Sequence, residues 1–268
     1  NFFKFLIHFN KSINSSFFAL CYHYIRKDNN DQFSKLLGTK INDFNDHLKM
    51  IKKEFEFISL EKIHSMYYNQ NKKFGDKTGL IMTFDDGLSD HFEVAKILSE
   101  NNISGVFFIP TCIIKDRLPA NPIILHYAIA IHGLKKFIDE LKIVFNEIDL
   151  EIQNNIPEFN KKEDNVWKII NDIKILLYYT IKPDETRKIL IKIYKRLIIK
   201  ENITINDMHL TKIQINKLLE MGHSIGAHSH SHISVASSKL SKLELNRELI
   251  EPKKILESEF NTNVISMS

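Results

Sequence analysis

Ile81-Met82-Thr83-Phe84-Asp85-Asp86-Gly87 is an apolar run that ends abruptly in two adjacent carboxylates and a glycine. Neighbouring side chains on a strand point to opposite faces, so both acids reach one site only if the chain turns at once. Gly87 permits that turn by accepting positive φ. A plain surface Asp-Asp-Gly turn has the same composition, and this stretch alone does not separate the two readings.

Working outward, residues 16–22 form a short continuous apolar run of the kind seen in a parallel strand covered on both faces, and His23 follows directly. Residues 55–58, 79–84, 105–110 and 223–227 read as further strands. Between them, Phe44, Leu48 and Ile51 recur at helical spacing behind Asn42 and Asp43 as cap candidates, a short helix is expected over 60–67, and Phe92, Ala95 and Leu98 share one face of a helix over 90–101. Strands alternating with helices at this spacing indicate βα units and a parallel sheet, either doubly wound or closed into a barrel. In both cases chemistry gathers at the carboxyl ends of the strands, where Asp85-Asp86-Gly87 falls.

From residue 122 the pattern changes to long helical segments, with candidates over 122–146, 166–181 and 184–199. We read these as a helical insertion whose Tyr, Ile and Leu positions, and Trp167, are core. Thr211 caps a helix that Gly222 ends, and Ser241-Lys242-Leu243-Glu244 is a capping box opening an amphipathic helix that Pro252 should kink. Residues 263–268 read as the start of another strand.

Composition narrows the function classes. A hydrophobic content of 43% with 26% charged residues is that of a globular protein, not a disordered one. The net charge of +4 comes from lysines and arginines interleaved with acids, which gives no nucleic-acid stripe. Cys21 and Cys112 lie far apart beside apolar runs and read as buried free thiols. The segment from Asn1 to His8 is apolar but too short and too interrupted for a membrane span or a signal peptide, which favours the cytoplasm, although the first residue is not Met.

His228-Ser229-His230-Ser231-His232 follows the last full strand. A spacing of four places His228 and His232 on one side of a helical turn and sends His230 elsewhere. With a carboxylate from Asp85-Asp86 they would make a two-His, one-carboxylate site with open positions, suited to Zn²⁺ or another divalent first-row metal. A solvated histidine-rich loop that binds metal only adventitiously is the alternative.

Taken in this order, the two motifs resemble those of the polysaccharide deacetylase family (NodB-homology domain, carbohydrate esterase family 4). Thr83-Phe84-Asp85-Asp86-Gly87 is similar to the first motif and His228 to His232 to the second. Met221-Gly222-His223-Ser224-Ile225-Gly226-Ala227 resembles the family's run-in to the second motif, and Leu20-Cys21-Tyr22-His23 the first strand of many members. The resemblance covers 17–110 and about 211–268.

What it implies is a distorted (β/α) barrel forming a single domain, with catalytic segments over about 16–120 and 205–268, a helical insertion over about 121–204, and an incomplete C-terminus. It implies Asp86, His228 and His232 as ligands of a divalent metal, Zn²⁺ foremost with Co²⁺ or Ni²⁺ as alternatives, and Asp85 as the general base. The expected reaction is removal of N-acetyl groups from a sugar of a polysaccharide or lipid-linked saccharide. The competing expectations are a non-catalytic saccharide-binding relative and a hydrolase of another amide or of an acetyl ester. The family's later motifs, including its histidine acid, do not fall within these residues, so we expect a fragment of a longer protein. His23 should lie near the mouth of the site, as a polar contact or a structural hydrogen-bonding residue.

Overall fold

The computed structural model describes residues 17–68, 77–148, 155–160, 165–235 and 240–268. The expectation for the first eight residues lies outside the described residues. The chain runs β1 (Phe17–Tyr22), β2 (Ile25–Arg26), β3 (Thr39–Lys40), α1 (Ile41–Glu54), β4 (Phe55–Phe57), α2 (Leu60–Tyr68), β5 (Thr78–Phe84), α3 (His91–Glu100) and β6 (Gly105–Ile109). A helical stretch follows, with α4 (Cys112–Lys115), α5 (Asn121–His132), α6 (Leu134–Glu147), α7 (Val166–Ile175), α8 (Pro183–Ile193) and α9 (Ile205–Met208). Then come α10 (Lys212–Glu220), β7 (Ser224–Ala227), α11 (Lys242–Leu245) and α12 (Glu251–Phe260).

β5 is the centre of the sheet because it is apolar throughout, and every residue from Gly79 to Phe84 is buried. β1 pairs with it in parallel from Phe17↔Gly79 to Tyr22↔Phe84. β4 pairs with Thr78–Leu80 and β6 with Met82–Phe84, both in parallel, and β7 continues beyond β6. The βα reading therefore holds, and the carboxyl ends of β1, β5, β6 and β7 point the same way. Phe84 stacks on Phe107 at 4.8 Å between ring centroids, which locks β5 to β6 directly beneath the acid turn. Gly226 in β7 has a close-approach reason: a Cβ there would stand 2.4 Å from the Phe108 ring.

The helix boundaries differ from expectation where backbone chemistry intervenes. α1 begins at Ile41 behind Lys40, so Asn42 and Asp43 lie inside it and do not cap it. The helix expected over 122–146 is two, divided at Gly133, whose φ of 83° no helix contains. Pro252 sits at the first turn of α12, where it lacks only an unneeded N–H, and the turn before it, Asn246–Ile250, widens to a π-helix. The capping boxes at Thr211 and Ser241 form, and Gly222 ends α10 at φ 82°.

Two burial expectations fail. Trp167 is 64% exposed, because α7 buries Ile169 and Ile173 on its opposite face. Cys21 is exposed while Cys112 is buried. β1 is covered on one face only: Phe17, Ala19 and Cys21 alternate outward while Tyr22 reaches the core. The strand expected over 263–268 appears as one isolated parallel bridge, Ala227↔Met267, beside β7. Among the described residues no helix is long and apolar enough to cross a membrane.

Candidate metal centre and active site

Asp85 is still in strand register, its N–H donating to Tyr22 O at 3.0 Å. The chain turns one residue earlier than the glycine suggests, since Asp86 adopts φ 73° and Gly87 φ 54°. A left-handed aspartate costs about 1–2 kcal/mol, and such strain persists where neighbours over-determine it. The neighbours here are residues 207–210: Leu210 N–H donates to Gly87 O at 2.9 Å, Ser89 N–H to Met208 O at 3.1 Å, and the Ser89 hydroxyl to Asp207 O at 2.8 Å.

His228 and His232 lie on an irregular segment after β7, not on the helical turn their spacing suggests. They reach one side through left-handed residues, Ser229 at φ 51° and His232 at φ 60°, with His232 N–H bonded to Ser229 Oγ at 2.9 Å. The outcome is the expected trio. Asp86 Oδ1 is 3.3 Å from His228 Nε2 and 3.2 Å from His232 Nε2, and the two rings stand at 80° with centroids 4.6 Å apart.

His228 Nδ1–H donates to the main-chain oxygen of Ser268 at 3.0 Å, which leaves Nε2 as a bare lone pair. Asp86 Oδ1 and His228 Nε2 are buried without a hydrogen-bond partner. Two buried, unpartnered polar atoms facing each other at 3.3 Å fit a cation between them. Burial opposes the Asp86 charge, but the two imidazoles outweigh it and hold the carboxyl well below the usual carboxylate range. Burial likewise opposes protonation of His232, and Asp86 reverses this, raising the imidazole above its ordinary value.

Asp85 is 8% exposed. Its Oδ2 accepts from Ser268 Oγ at 3.1 Å, and its Oδ1 is buried without a partner. His23, half exposed, places Nε2 4.0 Å from both Asp85 Oδ2 and Asp86 Oδ2, at the mouth of the site. Cys21 Sγ lies 3.9 Å from His23 Nδ1; partial burial and then the Asp85 charge push its thiol up to about 11.

No family model and no curated protein matches this sequence. Among solved structures, the Streptococcus pyogenes deacetylase PplD in complex with acetate aligns at a TM-score of 0.51 and 13% identity, over 95% of this chain and 74% of that one. The chain has the polysaccharide deacetylase fold. IcaB from Ammonifex degensii aligns at 0.49 and 9% identity over 95% of this chain and 73% of that one. The BpsB deacetylase domain from Bordetella bronchiseptica stands at 0.47 and 14%, over 94% and 79%.

Within this deacetylase fold, the other histidines near the site are structural. His230 is buried and turned away, bonded through Nδ1 to Thr111 Oγ1 and through Nε2 to Asp116 Oδ2, both at 2.9 Å. His91, His209 and His223 each accept one backbone N–H and donate to backbone oxygen, so each is a neutral cross-link. His91 joins Leu88 N–H to His23 O. His209 joins Ala120 N–H to Asp86 O, with Gly87 O also in reach. His223 joins Gly105 N–H to Ala95 O. Burial pushes His91 and His209 down to about 4, against the pull of nearby carboxylates and carbonyls.

Sequence reasoning missed three supports. Glu248 is wholly buried and receives His230 N–H at 3.1 Å, Ser231 N–H at 2.9 Å and the Ser231 hydroxyl at 2.9 Å, anchoring the histidine segment from below. Its signal was an acid three positions after Leu245 on the apolar stripe of that helix. His209 carried no pattern at all. His126, on α5, hydrogen-bonds Tyr24 Oη at 3.4 Å; burial and then the Lys174 charge push it down to about 4, against the opposing pull of Asp86.

Proposed function

We propose that this chain carries the active site of a metal-dependent hydrolase that removes N-acetyl groups from a sugar of a polysaccharide or lipid-linked saccharide. The observation that carries the reading is the Asp86–His228–His232 trio, with unpartnered lone pairs at its centre and the unpartnered Asp85 Oδ1 on the adjacent residue. Asp86 and the two histidines would hold the metal. A divalent cation there supplies a Lewis acid that polarises an acetyl carbonyl and eases deprotonation of water, and Zn²⁺, Co²⁺ and Ni²⁺ all suit two imidazoles and one carboxylate.

The chain's own residues do the rest. Asp85 takes the proton of the attacking water at Oδ1, while Ser268 Oγ holds Oδ2 and fixes the carboxylate plane. Asp86 is kept ionised by its imidazole neighbours, as a carboxylate ligand must be. We read the helices between 121 and 204 as an insertion in a single domain, and one of them, α5, brings His126 to within 3.4 Å of Tyr24 Oη.

The test is Asp85→Asn in the full chain loaded with metal. Acetate release from an N-acetylated oligosaccharide should fall by about 100-fold or more with bound metal unchanged. An unchanged rate refutes the base assignment. Glycan binding without acetate release in the wild type would instead establish a saccharide-binding relative.

A further inference from the structure

A second constellation of metal-ligating groups stands beside the first. Residues 21 and 23 fall on one face of an extended chain; the register sets Cys21 opposite Thr83 and ends at Tyr22 opposite Phe84, beyond which Asp85 N–H bonds Tyr22 O and His23 stands beside Asp85. The ligand atoms of Cys21, His23 and Asp85 all lie within 4.8 Å of one another. His23 gives one nitrogen to such a set: Nδ1 stands 3.9 Å from Cys21 Sγ, and Nε2, on the other side of the ring, 4.0 Å from Asp85 Oδ2. Cys21 and His23 are exposed, whereas Asp85 is buried and its Oδ1 lacks any partner. One thiolate, one imidazole and one carboxylate are a donor set for Zn²⁺ or its cobalt analogue, with solvent completing the coordination.

We propose that Cys21, His23 and Asp85 form a second, rim-level divalent-cation site that captures the Asp85 carboxylate. Binding forms a sulfur–metal bond as the Cys21 thiol gives its proton to solvent. The Asp86–His228–His232 trio fills first, since its donors are preorganised and largely buried. The rim site fills at excess metal. The functional consequence rests on the role of Asp85 proposed above: with that carboxylate bound at the rim, hydrolysis falls as Zn²⁺ rises, so the site makes the reaction self-limiting in metal.

The experiment is a Co²⁺ titration of the full chain, read by absorption with bound metal measured by equilibrium dialysis. The first equivalent should give visible ligand-field bands alone. Further cobalt should add a near-ultraviolet thiolate-to-cobalt band that is lost in Cys21→Ser and weakened in His23→Ala, both of which keep the visible bands. The buried Cys112 cannot supply it. A wild type that binds further cobalt without a thiolate band, or a band that survives Cys21→Ser, overturns the proposal. His228→Ala separates the two readings: it removes the visible bands of the trio and leaves the thiolate band. A thiolate band without any acetate release would sustain the rim site while refuting the hydrolase. In an active enzyme, Cys21→Ser should relieve inhibition by excess Zn²⁺, and inhibition unchanged by that substitution counts against the capture of Asp85.

Discussion

His91 ties the acid turn to β1, and its chemistry makes that tie sensitive to acid. The ring is fully buried against Phe84 and Phe107, with centroids at 5.6 and 5.8 Å. Nδ1 accepts from Leu88 N–H at 3.2 Å, so the single ring proton sits on Nε2 and goes to His23 O at 3.0 Å. Burial pushes the group from 6.5 down to about 4. The folded value lies below the unfolded one, so the neutral ring's contribution is fully present above pH 6.5. It is lost as pH falls toward 4, because only the unfolded chain takes up the proton. At about 1.4 kcal/mol per pH unit, the loss is about 2 kcal/mol at pH 5 and about 3 kcal/mol at pH 4.

His91→Gln keeps a donor for His23 O but strands the Leu88 N–H, at a cost of about 1–3 kcal/mol at pH 7. It has no group that titrates in this range. The wild type should therefore be the more stable protein at pH 7, with the gap closing through pH 5 and vanishing or reversing near pH 4. Urea unfolding of both proteins at pH 7, 5 and 4 measures it. A gap that stays constant across this range refutes the neutral cross-link.

Three further outcomes follow from the site. His228→Ala and His232→Ala should each sharply lower metal content measured by elemental analysis. His230→Ala should keep the metal and lose about 1–3 kcal/mol through its broken Thr111 and Asp116 bonds; equal metal loss in all three would point to an adventitious loop. Glu248→Ala should weaken metal affinity by about 10–100-fold without touching a ligand, and destabilise the fold by about 3 kcal/mol or more, since it leaves the His230 and Ser231 N–H groups buried and unmet; unchanged affinity in competition with a chelator would refute the anchoring role. Gly87→Ala should cost about 1–2 kcal/mol in thermal or urea unfolding, because φ is +54° there and a Cβ would press on Ile109 Cδ1 at 3.2 Å; a neutral substitution would show that the turn relaxes freely.

The parallel strands and the trio were legible because each rests on local pattern: continuous apolar runs for β5 and β6, an acid pair at a strand end, two histidines four apart. What stayed hidden depends on packing between distant segments. His228 and His232 meet through left-handed residues that no helical spacing encodes. Trp167 looked like core only because large aromatics usually are, while its helix buries the opposite face. Cys21 sits on the outward face of β1, where Phe17 and Ala19 are exposed as well. Glu248 shows the intermediate case, where the anomaly of an acid on an apolar stripe was visible and its partner was not.

These hidden residues explain why the site can hold strained backbone at all. Asp86, Ser229 and His232 are non-glycine residues at positive φ, and each would relax if only its own neighbours held it. Asp86 is not held that way, and the Ser229–His232 bond is itself braced through the backbone between them. His209 grips the carbonyl of Asp86 from a segment more than a hundred positions away, and Leu210 N–H and Met208 O brace the following turn. Glu248 holds the backbone between His228 and His232 from a helix further on, and Ser268 fixes both the His228 tautomer and the Asp85 carboxylate. Asp86 and His228 are thus set by polar groups from other segments, and His232 through Ser229 and the Glu248-anchored backbone beside it, so geometry at the trio depends on packing between distant parts of the chain. A histidine-rich loop that bound metal by chance would need none of these partners, and their presence is the strongest physical argument that the trio is a built site.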